Sequence, residues 1–417
     1  VSLAGRFAAR MAELAGGESA GPFGVAVSGG GDSSALLELA ADWAAVRGVV
    51  LRVATVDHGL RPGSAAEARE VAARAAELGL RHDTLAWHWD GRGNLQDSAR
   101  RGRLGLLADW AAGHRLAAVL LGHTRDDVAE TFLMRLARGS GVDGLSAMAA
   151  RRTACGTLWL RPLLDVARAD LRQELARRGR SWREDPSNDD PRFDRVKARA
   201  ALAALAPLGI DAAALAATAA RLAEARQALR RAAAEAAERI AREGPAGELR
   251  IDAAAFAALP SEIARRILVA ALTWVSSAEY PPRQHALAAL RARIDAGRPG
   301  TLHGCRVWVG GGAISVVREA RAVSALAVPA PGRWDGRWEI AAPPGPAPPP
   351  GLTVRALGEA GLAQCPDWRG TGSSRAALLA APAVWSGDRL VAAPLAGRPA
   401  GWTARLLRPF AESFTAD

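Results

Sequence analysis

Between residues 23 and 45 the chain reads FGVAVSGGGDSSALLELAADWAA, an apolar run that passes through Ser-Gly-Gly-Gly-Asp-Ser-Ser into a leucine-rich segment. Three consecutive glycines are conformationally costly, because glycine loses the most backbone freedom on folding. Small residues leading into a helix N-terminus leave backbone N–H groups bare beside the positive end of the helix dipole, which suits phosphate. Ser28 and Ser33 add hydroxyl donors. Asp32 would repel phosphate unless a divalent cation stood between them, which points to Mg2+. A phosphate loop of the Walker type needs Lys-Ser/Thr where Asp32-Ser33 stands, and a dinucleotide fingerprint needs spaced glycines, although Asp57 does close the second strand. The competing reading is a tight turn with Asp32 or Ser33 as an N-cap, but a cap alone does not call for three glycines.

Other residues share this chemistry. In HTRDDVAET, Asp127 and Glu130 are three apart and Asp126 and Glu130 four apart, so their carboxylates lie on one helical face and would select a cationic substrate. Acidic residues also suit a helix N-terminus with no ligand at all. His123 ends an apolar run and reads either as a structural histidine or as part of the site. Arg100 and Arg103 are one helical turn apart, and either an active-site or a salt-bridged surface role fits them. Asp57 and His58 close the second strand. DPSNDDPRFDRVKAR offers Asp185, Asn188, Arg195 and Arg199, the last two on one helical face suited to phosphates.

These residues need a frame. FGVAV, VVLRVATVDH and LAAVLLGH read as buried strands and RHDTLAW as an amphipathic one, with helices near 33–45, 65–79, 95–112 and 126–138 between them. Such alternation implies a parallel sheet covered on both faces, with ligands beyond the carboxyl ends of its strands. The polar clusters at 28–34, 57–64 and 122–127 all fall there. Residues 166–205 read as helix, turn, helix, and 206–295 as alanine-rich helix. TLHGCRVWVGGGAISVVRE alternates like a hairpin, PPGPAPPP (343–350) reads as a stiff linker or surface loop, and 351–417 as a small β-containing module. The expected domains are 1–205, an α/β catalytic unit; 206–325, mainly helical; and 326–417, small and C-terminal.

The 417 residues carry a net charge of +11, with Lys197 the only lysine. An arginine and alanine bias also follows from a GC-rich genome, yet a cationic surplus favours polyanionic partners such as nucleic acid. Residues 281–333 hold eight arginines, Arg306 among them, against two acids. Trp308, Trp334, Trp338 and Trp385 are candidates for base stacking or for core. Cys155, Cys305 and Cys365 form no CxxC pair, which excludes a disulfide framework and fits a reducing cytoplasm. The longest apolar runs are too short for a membrane span, and the first residues do not read as a secretion signal.

SGGGDS after a strand resembles the SGGxDS loop of the PP-loop (N-type) ATP pyrophosphatases. VDHGLRPGSAAEAREVA (56–72), ARRGRLGLLADWA (99–111) and GHTRDDVAETFLMRLARGSGVDGLSAM (122–148) are similar to the catalytic domain of the tRNA(Ile)-lysidine synthetase family, and 161–199 to its end-of-domain segment. GRPGTLHGCRVWV, RWDGRWEI and LLAAPAVWSGDRLVAAPLAG resemble its C-terminal domains. The resemblance implies a parallel-sheet PP-loop domain followed by a helical domain and a small α+β domain, the last two binding tRNA. It implies that ATP is split between its α- and β-phosphates, with the diphosphate end on Ser28, Gly29, Gly30, Gly31, Asp32 and Ser33, and Mg2+ on Asp32. Asp57 and His58 would lie near the adenosine, Arg103 would face the α-phosphate, and free L-lysine would meet Asp127, Glu130 and His123. Arg195 and Arg199 match an Arg-Asn-x-x-Arg pattern in which Val196 replaces the asparagine, and Leu104 stands where the family often has an aromatic residue. The implied reaction adenylates the wobble cytidine of a tRNA(Ile) with a CAU anticodon and joins lysine to its C2, giving lysidine, AMP and pyrophosphate. Reading then changes from AUG to AUA and identity from Met to Ile. A homodimer stays open, as do a tRNA-binding module without catalysis and another RNA-adenylating enzyme with a different nucleophile.

Overall fold

The computed structural model describes residues 2–16, 21–59, 63–89, 91, 95–183 and 192–414. The chain divides into two compact units, residues 1–226 and 227–416.

The first unit begins with α1 (Leu3–Ala15), capped by the Ser2 hydroxyl. Alternation then follows: β1 (Phe23–Ala26), α2 (Gly31–Arg47), β2 (Leu51–Asp57), α3 (Ser64–Glu77), β3 (Arg81–Ala86), α4 (Leu95–Gly113), β4 (Ala118–Leu121) and α5 (Arg125–Leu136). Each expected strand and helix of this region is present within a few residues of its expected ends. α6 (Val142–Leu145), β5 (Arg151–Ala154), β6 (Thr157–Leu160), α7 (Arg168–Arg177) and α8 (Asp194–Leu205) complete the unit, and α9 (Ala212–Ile240) starts in it and runs on into the second.

The six strands are ordered β3-β2-β1-β4-β6-β5, all parallel except β5. β1 and β4 are apolar throughout because helices cover both faces, and Phe23, Val25, Leu36, Leu39, Leu120, Leu160 and Leu171 share one core. The chain order turns back between β1 and β4, which places the ends of those strands and of β2 at the crevice where such sheets bind ligands. The hairpin β5–β6 turns through Cys155 and Gly156, both with positive φ, as a two-residue turn between twisted strands requires.

In the second unit come β7 (Ala241–Glu243), β8 (Leu249–Asp252), α10 (Ala253–Ala257), α11 (Ser261–Ser276), α12 (Gln284–Asp295), β9 (Gly300–Leu302), β10 (Cys305–Gly310) and β11 (Ala313–Arg318). Their five strands run β7-β8-β11-β10-β9, and one face packs on α11 through Leu249, Ile251, Ile267, Leu272, Val307 and Ile314. The expected hairpin is β10–β11, turning through Gly311 and Gly312, both with positive φ. β7 and β8 interrupt a stretch expected to be helical. The alanine-rich helix ends at Ile240, and Gly244, Pro245 and Gly247 form the turn from β7 to β8, which Gly244 and Glu248 close backbone to backbone.

The chain continues through α13 (Ala320–Val323), β12 (Ala327–Pro329), β13 (Gly332–Trp334), β14 (Trp338–Ala341), β15 (Leu352–Ala356), α14 (Gly358–Leu362), α15 (Arg375–Leu379), β16 (Pro382–Ser386), β17 (Arg389–Ala392) and β18 (Thr403–Leu406). These strands form a four-stranded and a three-stranded sheet. PPGPAPPP contributes no helix or strand. Trp334, Trp338 and Trp385 are buried core residues, so none of the three is open to stack a base; Trp308 is half-buried beneath Arg306. No single helix among the described residues is long and apolar enough to cross a membrane.

Candidate active site

β1 delivers the chain into the glycine loop and α2 leaves it, with Gly30 as the N-cap position. Ser33 stitches the loop closed: its hydroxyl donates to the Gly30 carbonyl at 3.0 Å, accepts from the Ser28 N–H at 3.1 Å and meets the Ser28 hydroxyl at 3.1 Å. The three glycines differ in what holds them. Gly29 has a φ of +85°, which side chains avoid. A Cβ on Gly31 would meet the Trp182 indole at 3.2 Å. A Cβ on Gly30 would meet nothing nearer than the Ser28 hydroxyl at 3.8 Å, so packing does not explain that glycine and its outer side is open to a ligand. Arg183 braces the loop from behind, its N–H donating to the Gly29 carbonyl at 3.2 Å.

One guanidinium gathers the acids. Arg168, the first residue of α7, donates from Nε to Asp32 Oδ2 at 3.0 Å and from Nη1 to Glu130 Oε1 at 3.0 Å, while Nη2 lies 3.6 Å from Asp127 Oδ1. Its backbone N–H donates to Asp126 Oδ2 at 2.8 Å. From α8, Arg199 donates to Glu130 Oε1 at 2.7 Å and Arg195 lies 3.7 Å from Asp127 Oδ1. Burial, helped by the neighbouring Asp127 and Asp126 charges, raises the Asp32 carboxyl above its ordinary range against the pull of Arg168. Burial also pushes Asp127 up, but Arg195, the Thr124 N–H, His123 and Arg168 outweigh it and hold that carboxyl low. The same carboxylates more than offset the desolvation of Arg168 and raise its affinity for its proton.

Asp127 is also the N3 residue of a capping box. Its Oδ2 accepts from the Thr124 N–H and hydroxyl, both at 2.9 Å, and its own N–H donates back to Thr124 at 3.3 Å. Asp32 Oδ1 and Glu130 Oε2 are buried with no hydrogen-bond partner among the described residues. Beside them a cavity of about 290 Å³ is lined by Asp126, Glu130, Arg168, Arg199 and Asp211 over an apolar wall that includes Leu202.

At the end of β4 His123 is half-buried, and Arg161 donates from Nε to its Nδ1 at 3.3 Å. Burial pushes the imidazole down to about 4, against the pull of Asp127 and with the help of Arg161, Arg103 and Arg195. His58, at the end of β2, packs edge-on against Trp87 and is likewise pushed down, by burial and then by Arg103. Asp57 turns back on its own loop; hydrogen bonds from the Ser64 side chain and the Gly59 N–H hold it low. Its side chain is thus occupied in shaping the loop.

The structure brings Asp32, Asp127, Glu130, Arg195 and Arg199 into one network around Arg168, with His123 beside it under the charge of Asp127 and Arg103 near enough to act on His58 and His123. Arg195 and Arg199 meet carboxylates there, whereas phosphate-facing arginines were expected. Arg306 lies exposed on β10 in the second unit, stacked over Trp308. Asp185 and Asn188 lie outside the described residues. The sequence did not single out Arg161, Arg168, Thr124 or Trp182. Thr124 carried a signal, because Thr-x-x-Asp before a helix is a capping pattern.

A family model described as a PP-loop domain matches residues 3–206. The chain is 52% identical to a tRNA(Ile)-lysidine synthase of Ruegeria pomeroyi over 92% of its length and 90% of that protein. It is 42% identical to one of Hyphomonas neptunium over 69% of its length and 78% of that protein. Among solved structures, the U34-tRNA thiolase NcsA of Methanococcus maripaludis aligns with a TM-score of 0.45 at 14% identity, covering 53% of this chain and 79% of that one. An identity of 52% over nine-tenths of both lengths, together with the PP-loop match, is decisive: the chain belongs to the tRNA(Ile)-lysidine synthase family of PP-loop proteins.

Proposed function

We propose that this chain joins free L-lysine to C2 of the wobble cytidine of a tRNA(Ile) bearing a CAU anticodon, at the expense of ATP, giving lysidine, AMP and pyrophosphate. The observation that carries the reading is that Asp32 of the glycine loop and Glu130 of the acidic helix face share the Arg168 guanidinium, each at 3.0 Å. Phosphate loop and cation-selecting acids are therefore parts of one site.

ATP fits the loop, since Gly30 leaves an open approach to the N-terminus of α2. Bound ATP supplies an electrophilic α-phosphorus for the cytosine C2 oxygen and a diphosphate leaving group. The N–H groups of the loop beyond Ser28, whose own N–H is given to the Ser33 hydroxyl, hold the diphosphate end, and Arg103 offsets charge on the α-phosphate. Mg2+ fits Asp32, whose Oδ1 is buried without a partner among the described residues. Among those residues no three His, Cys, Asp or Glu side chains converge on a metal, so the remaining ligands of that ion would be phosphate and water oxygens.

Lysine enters beside Asp127, Glu130 and His123. The adjoining cavity offers arginines for its carboxylate and acids for its ammonium groups. Its amine must be neutral to attack C2. Asp127, held low by its neighbours, is a poor base, so its work is binding. Arg195 and Arg199, once their carboxylates turn to substrate, serve the tRNA backbone near the anticodon. Arg306 serves it from the second unit. In this scheme residues 206–325 and 326–417 are the tRNA-binding parts, the enzyme works in the cytoplasm, and a homodimer is compatible with it.

The test is mass analysis of tRNA(Ile) after incubation with ATP, Mg2+ and isotopically labelled lysine. Label is expected in the anticodon nucleoside. Its absence, with tRNA bound and ATP present, overturns the reading.

A further inference from the structure

We infer that Arg161 is a positioning residue that fixes His123 as the neutral imidazole carrying its proton on Nε2, so that His123 serves the site as a hydrogen-bond donor and not as a general base. This rests on the reaction proposed above.

The argument starts from what each nitrogen can do. A guanidinium N–H donates and never accepts. Arg161 Nε points at His123 Nδ1 across 3.3 Å, so Nδ1 must present its lone pair. A ring with a lone pair on Nδ1 is neutral and carries its N–H on Nε2. Arg161 is not free to follow the ring. Its Nη1 donates to the Ala149 carbonyl at 2.7 Å and its backbone N–H to the Ala150 carbonyl at 2.8 Å. The guanidinium is thereby held by the strand-end segment 149–150, and the ring adapts to it.

The charged groups around the ring agree. Asp127 on α5 favours the imidazolium, while Arg103 on α4, Arg161 after β6 and Arg195 on α8 oppose it. That lone carboxylate is already claimed by Thr124 and two arginines. The ring is therefore uncharged across the physiological range. Nε2, already protonated, cannot take the proton that the lysine ammonium must lose; it can donate to a carbonyl or phosphate oxygen of the bound substrates. The base must be sought elsewhere, and Arg161 sets that division of labour.

The decisive measurement is long-range 1H–15N correlation on the full chain with 15N-labelled histidine, His123 being assigned with His123→Gln, between pH 5.5 and 8. A single neutral Nε2–H tautomer is expected throughout. A proton on Nδ1, or an imidazolium forming between pH 6 and 7, overturns the inference. Arg161→Leu is expected to lower tRNA-dependent pyrophosphate release about 10-fold at pH 7. It should also bring an acid limb of the rate up toward neutral pH, because one of the cations opposing the imidazolium is gone while burial, Arg103 and Arg195 still oppose it. Arg161→Lys keeps a cationic donor and should restore most of the rate without that limb. An Arg161→Leu profile parallel to wild type would also overturn the inference. If Arg161→Leu does not fold, the wild-type tautomer decides alone. Labelled lysine incorporated by an enzyme whose His123 is the Nδ1–H tautomer would sink this inference and leave the reaction standing; no incorporation would sink the reaction itself.

Discussion

Arg168 donates to Asp32 across 3.0 Å although 136 residues separate them, and this pair clamps the first turn of α2 to the first residue of α7. The other end of α7 is clamped as well. Arg178 meets Asp42 at 2.7 Å and Glu38 at 3.5 Å, both on α2, and Glu174 at 2.7 Å. Between the clamps Leu36, Leu39, Leu171 and Leu175 pack in one core. The helix that carries Arg168 is thus fixed along its length, and the guanidinium is held where a ligand cation would have to come.

Replacing Arg168 with Gln should therefore uncover mutual repulsion among Asp32, Asp127 and Glu130. Glu130 is 1% exposed and Asp127 6%, so little solvent is at hand to screen them. Loss of one partner of such a buried set costs about 3 kcal/mol. Thermal unfolding should show that loss at pH 7.5, with part of it regained on adding lysine or Mg2+. A variant as stable as wild type, unmoved by either ligand, would mean that the acids do not depend on this cation.

Gly30→Ala and Gly29→Ala should part company. At Gly29 a side chain must adopt a φ of +85°, a strain of about 1–2 kcal/mol that lowers Tm. At Gly30 φ is −72° and a methyl group meets nothing within 3.8 Å, so Tm should not move. If the loop holds phosphate, that methyl occupies the approach, and KM for ATP should rise about tenfold or more in Gly30→Ala. Unchanged ATP kinetics in a well-folded Gly30→Ala protein would remove the loop from nucleotide binding.

Asp32→Asn separates stability from function. The folded protein raises the Asp32 pKa, chiefly by burial, so the charged form is disfavoured on folding. That penalty is absent below the unfolded value of 3.8, grows as pH rises past it and is complete above the folded pKa. The asparagine side chain carries no charge to desolvate. The variant should melt higher than wild type at pH 7.5, by a margin that shrinks toward pH 4, while losing pyrophosphate release. Equal melting at both pH values would show that Arg168 compensates the carboxylate fully.

The loop, the strands and the helices of the first unit were legible because each is written locally. An apolar run, three glycines and a leucine-rich period need no distant partner to be recognised. The hairpin β5–β6 was not legible, since β5 is four residues with two exposed arginines and carries no apolar alternation. Arg161 and Arg168 stayed hidden for another reason. Their partners His123 and Asp32 are 38 and 136 positions away, and only the folded sheet edge brings them together. In the second unit the tryptophans at 334, 338 and 385 look the same in sequence whether they stack on a base or fill a core, and burial decides for core.

A buried cation of a different kind should govern the stability of the second unit. Arg337 donates to the Val275 carbonyl at 3.0 Å and the Gly247 carbonyl at 2.7 Å, and lies over the Trp274 ring at 4.5 Å. Arg337→Leu leaves both carbonyls unpaired and removes the cation–π contact. At about 1–3 kcal/mol for each buried unpaired group, the loss should reach about 3 kcal/mol. Denaturant titration followed by tryptophan fluorescence would read it, and a loss below about 1 kcal/mol would mean that water enters to replace the guanidinium.

Arg306 tests whether the second unit meets the tRNA backbone. The side chain is exposed on β10 and rests over Trp308 at 5.7 Å. Arg306 belongs to the arginine-rich stretch 281–333, and an arginine that neutralises a tRNA phosphate releases a cation condensed on the RNA. A single lost phosphate contact weakens binding similarly for every tRNA and lowers the salt slope, log Kd against log salt, by about 1. Arg306→Ala should show that smaller slope for cognate and non-cognate tRNA alike, with the melting temperature unchanged, because the substituted side chain supports no core. Trp308 is half-buried, so its loss would confound packing with binding, and the arginine is the cleaner probe. An unaltered slope would place the phosphate path away from β10; loss confined to the cognate tRNA would instead give Arg306 a part in reading bases.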